Sequence, residues 1–115
     1  MAPSQVVIAT KSVQRLVKEE ASYHKELENQ EGRIKKLLAN FEGENAEFEL
    51  RQERQALQET KNVLPTVREK IKAALQKLED QLESSKEGDG EESTEEITKA
   101  KEAIADGKKA LREIS

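Results

Sequence analysis

The chain has 115 residues, 34% of them hydrophobic and 38% charged, with a formal net charge of −4 at pH 7. This length predicts one domain, and the acidic balance argues against a nucleic-acid-binding protein. Cysteine is absent, which excludes disulfides and thiolate metal sites. Residues 1–8 show no signal-peptide pattern and no apolar run reaches membrane-spanning length, so the sequence predicts a soluble, cytoplasmic protein that contacts no membrane.

The first predicted helix covers about residues 4–41. Its apolar residues recur alternately every three and four positions, the pattern of an amphipathic helix that packs against other helices. Ser4 is the favoured N-cap and Thr10 the alternative, while Gly43 predicts the turn after the helix. The stripe consists of Val6, Ala9, Val13, Leu16, Tyr23, Leu27, Ile34, Leu37 and Phe41, interrupted by Glu20 and Gln30.

The second predicted helix covers about residues 45–83, with Asn45 as its N-cap. Pro65 lies inside it and removes the hydrogen bond to the carbonyl of Lys61, so a kink is expected and a break is the alternative. The apolar stripe keeps its phase across the proline, which favours the kink. Its members are Leu50, Leu57, Thr60, Leu64, Val67, Ile71, Ala74 and Leu78.

An acidic loop is predicted at residues 84–93, followed by a shorter third helix over about residues 94–114. Ser93 with Glu96 forms a capping-box pattern at its start. The stripe of this helix is Ile97, Ala100, Ile104, Gly107, Leu111 and Ile114.

These elements predict an all-α fold: a single domain over residues 1–115, an elongated antiparallel three-helix bundle that runs up, down and up. Because the third helix ends near the level of Pro65, the hairpin beyond that level lacks a third partner. We expect part of its apolar stripe to be exposed, unless long charged side chains cover it. The residues concerned are Leu27, Ile34, Leu37, Leu38, Phe41 and Leu57.

Patterns for catalysis are missing from the sequence. His24 is the only histidine, and it has neither a second histidine at metal-binding spacing nor a nucleophile beside it in the sequence. Gly88 and Gly90 lack the preceding strand of a dinucleotide-binding site. The sequence therefore predicts a protein that is not an enzyme and needs no cofactor or metal.

One charge pattern is distinctive. Lys11, Lys18 and Lys25 recur every seven residues, with Arg15 beside them and Glu19 at a flanking position. This basic strip is either an ordinary solvated face or a surface that attracts an acidic partner.

Several segments resemble the tubulin-binding cofactor A family. They are VQRLVKEE at residues 13–20 with Tyr23 and Glu26, the stretch GENAEFELRQERQALQET at residues 43–60, Val63-Leu64-Pro65, and residues 68–71. The combination of hairpin turn, leucine spacing and internal proline covers about two thirds of the chain. The segment Ala46-Glu47-Phe48 departs from the family pattern.

The resemblance implies a tubulin-folding cofactor that stabilises quasi-native β-tubulin after chaperonin release, before α/β-tubulin dimer assembly. It implies binding through helix faces without ATP, other tubulin-folding cofactors as further partners, and association with the microtubule cytoskeleton. With the basic strip included, the predicted partner-binding residues are Lys11, Arg15, Lys18, Glu19, Lys25, Phe48, Arg51, Glu53, Arg54 and Lys61.

Two questions remain open from the sequence. A homodimeric coiled-coil adaptor is the alternative to the chaperone, so both a monomer and a homodimer are compatible with the pattern. Phe48 either packs over Phe41 at the hairpin tip or anchors a partner.

Overall fold

The computed structural model describes residues 4–87 and 93–112 of the chain. Within these ranges the structure consists of three α-helices and contains no β-strand. The helices are α1 (Gln5–Ala39), α2 (Ala46–Glu87) and α3 (Thr94–Arg112). This confirms the all-α prediction and the order of its elements. No described helix contains an apolar stretch long enough to cross a membrane.

Side-chain caps start the first and third helices where the sequence predicts. The Ser4 hydroxyl accepts a hydrogen bond from the Val7 amide at 3.2 Å, and the Ser93 hydroxyl accepts one from the Glu96 amide at 3.1 Å. Each bond satisfies an amide that has no partner within the helix. Thr10, the alternative cap of α1, instead lies inside the helix, where its buried hydroxyl donates to the Val6 carbonyl.

The turn between α1 and α2 depends on Gly43. Its φ of +96° lies in a region that side chains with a Cβ rarely adopt. The Gly43 carbonyl accepts a hydrogen bond from the Ala46 amide, the first residue of α2. The helix α1 ends at Ala39, so the predicted limits of about 4–41 are two residues too long at the end.

The second helix is longer than predicted. It continues through Pro65, which excludes the break that this proline made possible, and it ends at Glu87 instead of residue 83. Residues 84–87 were predicted as loop but are helical, because serine, lysine and glutamate are tolerated in a last turn and the first helix-breaking residue is Gly88. The rest of the predicted loop, residues 88–92, lies outside the described residues, as does Ile114.

The chain divides into two compact units. Residues 1–20 and 67–115 form one, which we call the three-helix unit, and residues 21–66 form the other, the hairpin unit. Helices α1 and α2 each contribute to both units, whereas α3 belongs to the three-helix unit alone.

Apolar side chains from all three helices fill the core of the three-helix unit. Val13, Ile71 and Leu78 are completely buried. The helix α3 contributes a stripe of small residues to this core: Ala100, Ala103, Gly107 and Ala110. The sequence predicted larger side chains on this stripe, but Ile97, Ile104 and Leu111 are only half-buried. Small residues occupy the centre because α2 and α3 approach closely there. A Cβ placed on Gly107 would lie 2.7 Å from Cδ2 of Leu75.

The hairpin unit has a thinner core. Its buried residues are Gln30, Ala46, Leu50, Thr60 and Leu64. The apolar residues that the sequence expected to stay accessible do so. Leu27, Ile34, Leu37 and Leu57 are half-buried, and Leu38 and Phe41 are exposed.

Candidate protein-binding surfaces

The cations of the predicted basic strip lie on the exposed side of α1. Lys11, Arg15 and Lys18 are all exposed, and Glu19 is half-buried. Arg15 lines a groove between α1 and α2, whereas Lys18 lines a different groove between α1 and α3. Two neighbouring cations of the strip, Arg15 and Lys18, thus lie beside different grooves of the three-helix unit.

The first surface is the groove that α1 and α2 form in the three-helix unit, which we call the α1–α2 groove. It has a volume of about 550 Å³. Its lining residues are Ala9, Ser12, Arg15, Leu16 and Glu19 of α1 and Lys70, Ala73, Ala74 and Lys77 of α2. Its lining combines small side chains with charged ones: Ala9, Ser12, Ala73 and Ala74 are small, and Arg15, Glu19, Lys70 and Lys77 are charged.

Three cations of this groove have charges that no described residue pairs with. Within residues 4–87 and 93–112, Arg15, Lys70 and Lys77 form no ion pair or side-chain hydrogen bond. Two nearby carboxylates of α2 are already engaged. Glu69 pairs with Lys72 at 3.1 Å, and Asp80 accepts a hydrogen bond from Gln76 at 2.9 Å.

The second surface of the three-helix unit is smaller and of mixed charge. The groove between α1 and α3 has a volume of about 270 Å³ and is lined by Gln14, Val17, Lys18, Ala103 and Asp106. Because Lys18 and Asp106 carry opposite charges on the same groove, this surface attracts an acidic partner less than the α1–α2 groove does.

An ion-pair network occupies one face of the hairpin unit. The Arg33 guanidinium donates hydrogen bonds to carboxylate oxygens of Glu53 and Glu26, both at 3.1 Å. The hydrogen bond to Glu53 is the largest cause that raises the pKa of Arg33 above its ordinary value, and the hydrogen bond to Glu26 is the second. Glu53, one of the predicted partner-binding residues, thus already holds a partner inside the fold. A groove of about 390 Å³ lies beside this network, between Leu37 of α1 with the turn residue Asn40 and Glu49 and Gln52 of α2.

Aromatic side chains are exposed near the turn of the hairpin unit. Phe48 is 56% exposed and Phe41 is 50% exposed, so solvent reaches about half of each residue. The exposed part of the Phe48 side chain can contact a partner, which the interpretation of Phe48 as an anchor requires.

The other predicted residues of the hairpin unit are exposed cations. Arg51 lies 4.0 Å from Glu47 one turn away, an exposed pair of little energetic weight. Lys25, Arg54 and Lys61 form no ion pair with any described residue.

Sequence reasoning missed Lys70 and Lys77. These two lysines are seven residues apart on α2, the same spacing that singled out Lys11 and Lys18 on α1. This spacing is visible in the sequence, but only the structure shows that the two lysines share a groove with Arg15.

Comparison with known proteins identifies the family. A family model described as "Tubulin binding cofactor A" matches residues 1–104. The chain belongs to the tubulin binding cofactor A family. This confirms the assignment that the resemblance in the two first helices predicted, and it extends the match into α3.

Relatives within this family match most of the chain. It is 34% identical over 111 residues to tubulin-specific chaperone A of Saccharomyces cerevisiae, which covers 96% of this chain and 97% of the relative. It is 36% identical over 83 residues to tubulin-specific chaperone A of Homo sapiens, covering 72% and 74%.

A solved structure of similar fold is the crystal structure of tubulin folding cofactor A from Arabidopsis thaliana. It has a TM-score of 0.76 and 28% identity, and the match covers 90% of this chain and 92% of that one.

Proposed function

We propose that this protein is a tubulin-folding cofactor. It captures quasi-native β-tubulin after release from chaperonin and holds it until other tubulin-folding cofactors assemble the α/β-tubulin dimer. Membership of the tubulin binding cofactor A family, with a match over residues 1–104, is the observation that carries this proposal. The protein acts in the cytoplasm in association with the microtubule cytoskeleton.

Binding by helix faces is the mechanism that the surface chemistry favours. The predicted residues Lys11, Arg15 and Lys18 project from the part of α1 whose apolar residues are buried, so they can contact a client without unfolding the core. A chaperone of this kind stabilises its client by mass action, since it binds the folded client and not the unfolded one. Such a cycle needs no ATP, because competing cofactors remove the client.

The hairpin unit supplies a second set of proposed contacts. Lys25, Arg51, Arg54 and Lys61 are exposed, and Phe48 adds an aromatic side chain of the type that dominates protein interfaces. We assign Glu53 a supporting role, because its carboxylate holds Arg33.

The test is a pull-down from eukaryotic cytosol with the tagged protein. Recovery of β-tubulin without stoichiometric α-tubulin is the expected result. A variant with Lys11, Arg15 and Lys18 changed to glutamate should lose β-tubulin while its far-UV circular dichroism stays unchanged.

A charge-matched variant controls for the altered net charge. Lys72, Lys99 and Lys101 are exposed and line none of the grooves described above, so changing all three to glutamate should leave β-tubulin recovery intact. If the wild type recovers only copies of itself, and its mass in solution is twice that of the monomer, the chaperone proposal fails. The protein is then a homodimeric adaptor.

A further inference from the structure

The face of α2 that carries the α1–α2 groove lies opposite the face that packs on α3. Arg68 donates a hydrogen bond to the Leu111 carbonyl at 3.0 Å, Leu75 meets Gly107, and Glu79 pairs with Lys108, so this line of α2 faces α3. Lys70 is two positions from Arg68 and Lys77 two positions from Leu75. Two positions correspond to about 200° around a helix, so the groove lies on the side that α3 leaves uncovered.

Small side chains let another helix enter this groove. Ala73 and Ala74 of α2 and Ala9 and Ser12 of α1 line it, and none of them projects far from its helix. Helix axes can approach to about 8 Å where the side chains at the contact are small. The packing of α3 illustrates the principle within this unit, since its Ala100, Ala103, Gly107 and Ala110 meet the core with small residues.

Charge determines which helix fits. The groove is lined by three cations, Arg15, Lys70 and Lys77, and by one carboxylate, Glu19, a balance of +2. The whole chain has a net charge of −4, so the groove has the opposite sign to the protein that carries it. Complementary charges at an interface accelerate encounter and reject partners of the wrong sign.

We infer that the α1–α2 groove binds an acidic amphipathic helix of the client protein. The helix lies along the groove with a small-residue or apolar stripe against Ala73 and Ala74, and its carboxylates pair with Arg15, Lys70 and Lys77. Lys70 and Lys77 are about 10 Å apart along α2, so the matching carboxylates are seven residues apart on the incoming helix. This inference rests on the proposed function, because it names the part of the client that is held.

A designed peptide tests the groove without the client. The probe is a fluorescent helical peptide with glutamates spaced seven residues apart along its edges and alanines between them. Fluorescence anisotropy should show binding to the wild type that weakens as salt is added. The Lys70→Glu/Lys77→Glu variant should bind at least about tenfold more weakly, because like charges then face each other.

Two controls separate groove docking from general attraction. Ala73→Trp keeps every charge but fills the groove at an exposed position, and it should weaken binding as strongly as the double reversal does. Lys99→Glu/Lys101→Glu changes the net charge equally on α3, outside the groove, and should bind like the wild type. Absence of peptide binding to the wild type, or equal binding by the wild type and Ala73→Trp, would overturn the inference.

The same variants in the β-tubulin pull-down keep the two proposals apart. Loss of β-tubulin from the Ala73→Trp variant, with the Lys99→Glu/Lys101→Glu variant unaffected, supports the groove as the client site. If all variants recover β-tubulin equally, the groove inference fails and the chaperone function stands. If the peptide binds as expected but the wild type recovers no β-tubulin, the proposed function fails and the groove remains a site for acidic helices of another client.

Discussion

Substituting alanine for Gly107 tests the close approach of α2 and α3. An ideal Cβ on Gly107 would lie 2.7 Å from Cδ2, 3.1 Å from Cγ and 3.2 Å from Cδ1 of Leu75. Because all three atoms are close, a torsion change that moves one methyl group away cannot relieve the clash. The whole Leu75 side chain must shift. Leu75 is itself buried, so it has little space into which it can move.

Two opposing effects determine how much Gly107→Ala changes the free energy of unfolding. Alanine in a helix interior is favoured over glycine by about 0.8–1 kcal/mol, which would stabilise the protein. Overpacking a buried contact costs about 1–3 kcal/mol, which exceeds that gain in most of its range. We therefore expect Gly107→Ala to lower the free energy of unfolding by up to about 2 kcal/mol.

Gly32 provides the matched control. It lies inside α1, and a Cβ placed on it would meet no atom within 4 Å. Gly32→Ala should therefore gain the helix-propensity term alone and stabilise the protein by about 1 kcal/mol. The two alanine variants should differ by about 1–3 kcal/mol in urea denaturation followed by far-UV circular dichroism. Equal stabilisation by both substitutions would refute the close approach at Gly107.

A double-mutant cycle assigns the effect to Leu75. Leu75→Val removes one methylene from the contact and should destabilise the wild type. In the Gly107→Ala background the same change relieves the clash, so its cost should fall and the cycle should give a coupling of about 0.5–3 kcal/mol. If the effects of Gly107→Ala and Leu75→Val on the free energy of unfolding simply add, the strain in Gly107→Ala does not arise from its contact with Leu75.

Four other predictions follow from single contacts. Gly43→Ala should cost about 1–2 kcal/mol in urea denaturation, because φ of +96° strains any residue with a Cβ. Ser93→Ala should cost about 1 kcal/mol in the same assay, since it removes the cap on the Glu96 amide. Ile71→Ala should cost about 2–5 kcal/mol, whereas Ile8→Ala, at an exposed position, should cost far less. Arg33→Ala should lower the melting temperature at low salt by less than Ser93→Ala does, and the effect of Arg33→Ala should disappear at high salt, because its ion pairs are exposed.

Helix positions could be predicted from the sequence where a local rule determines them. Ser4, Gly43 and Ser93 each act through their own backbone and the next few residues, so the starts of α1 and α3 and the hairpin turn were correct. The end of α2 was wrong because Ser84 and Ser85 favour a loop only weakly. A helix supported by packing on its N-terminal side tolerates them.

The central stripe of α3 could not be predicted from hydrophobicity. Ala103 and Ala110 carry little apolar surface, so a pattern weighted by hydrophobicity placed Ile104 and Leu111 at the centre instead. The spacing between two helices is a property of both, and Leu75 of α2 fills the space that Gly107 leaves. A single sequence stripe does not contain that information.

The proposed binding surface shows the same limit. Arg15 and Lys18 are about 60° apart around α1, which is close enough to appear as one strip on an isolated helix. Once α2 and α3 pack on either side of α1, this angle is enough to place the two cations on different grooves. Sequence reasoning could thus find the charged residues, but which of them line the same groove depended on neighbours from other helices.

The composition of the two cores determines how binding variants must be interpreted. In the three-helix unit, Val13, Ile71 and Leu78 are completely buried, and each contributes apolar area that a surface substitution leaves untouched. In the hairpin unit, Gln30 and Thr60 are two of the buried residues, and the Gln30 side-chain oxygen has no hydrogen-bond partner among the described residues. The hairpin unit also buries fewer apolar side chains than the three-helix unit does, so it has less stability to spare. Loss of client binding in a Phe48 or Arg54 variant therefore identifies a contact only if the helicity of that variant is measured as well. Substitutions of Lys70, Ala73 or Lys77 in the α1–α2 groove change exposed side chains and leave the buried core intact.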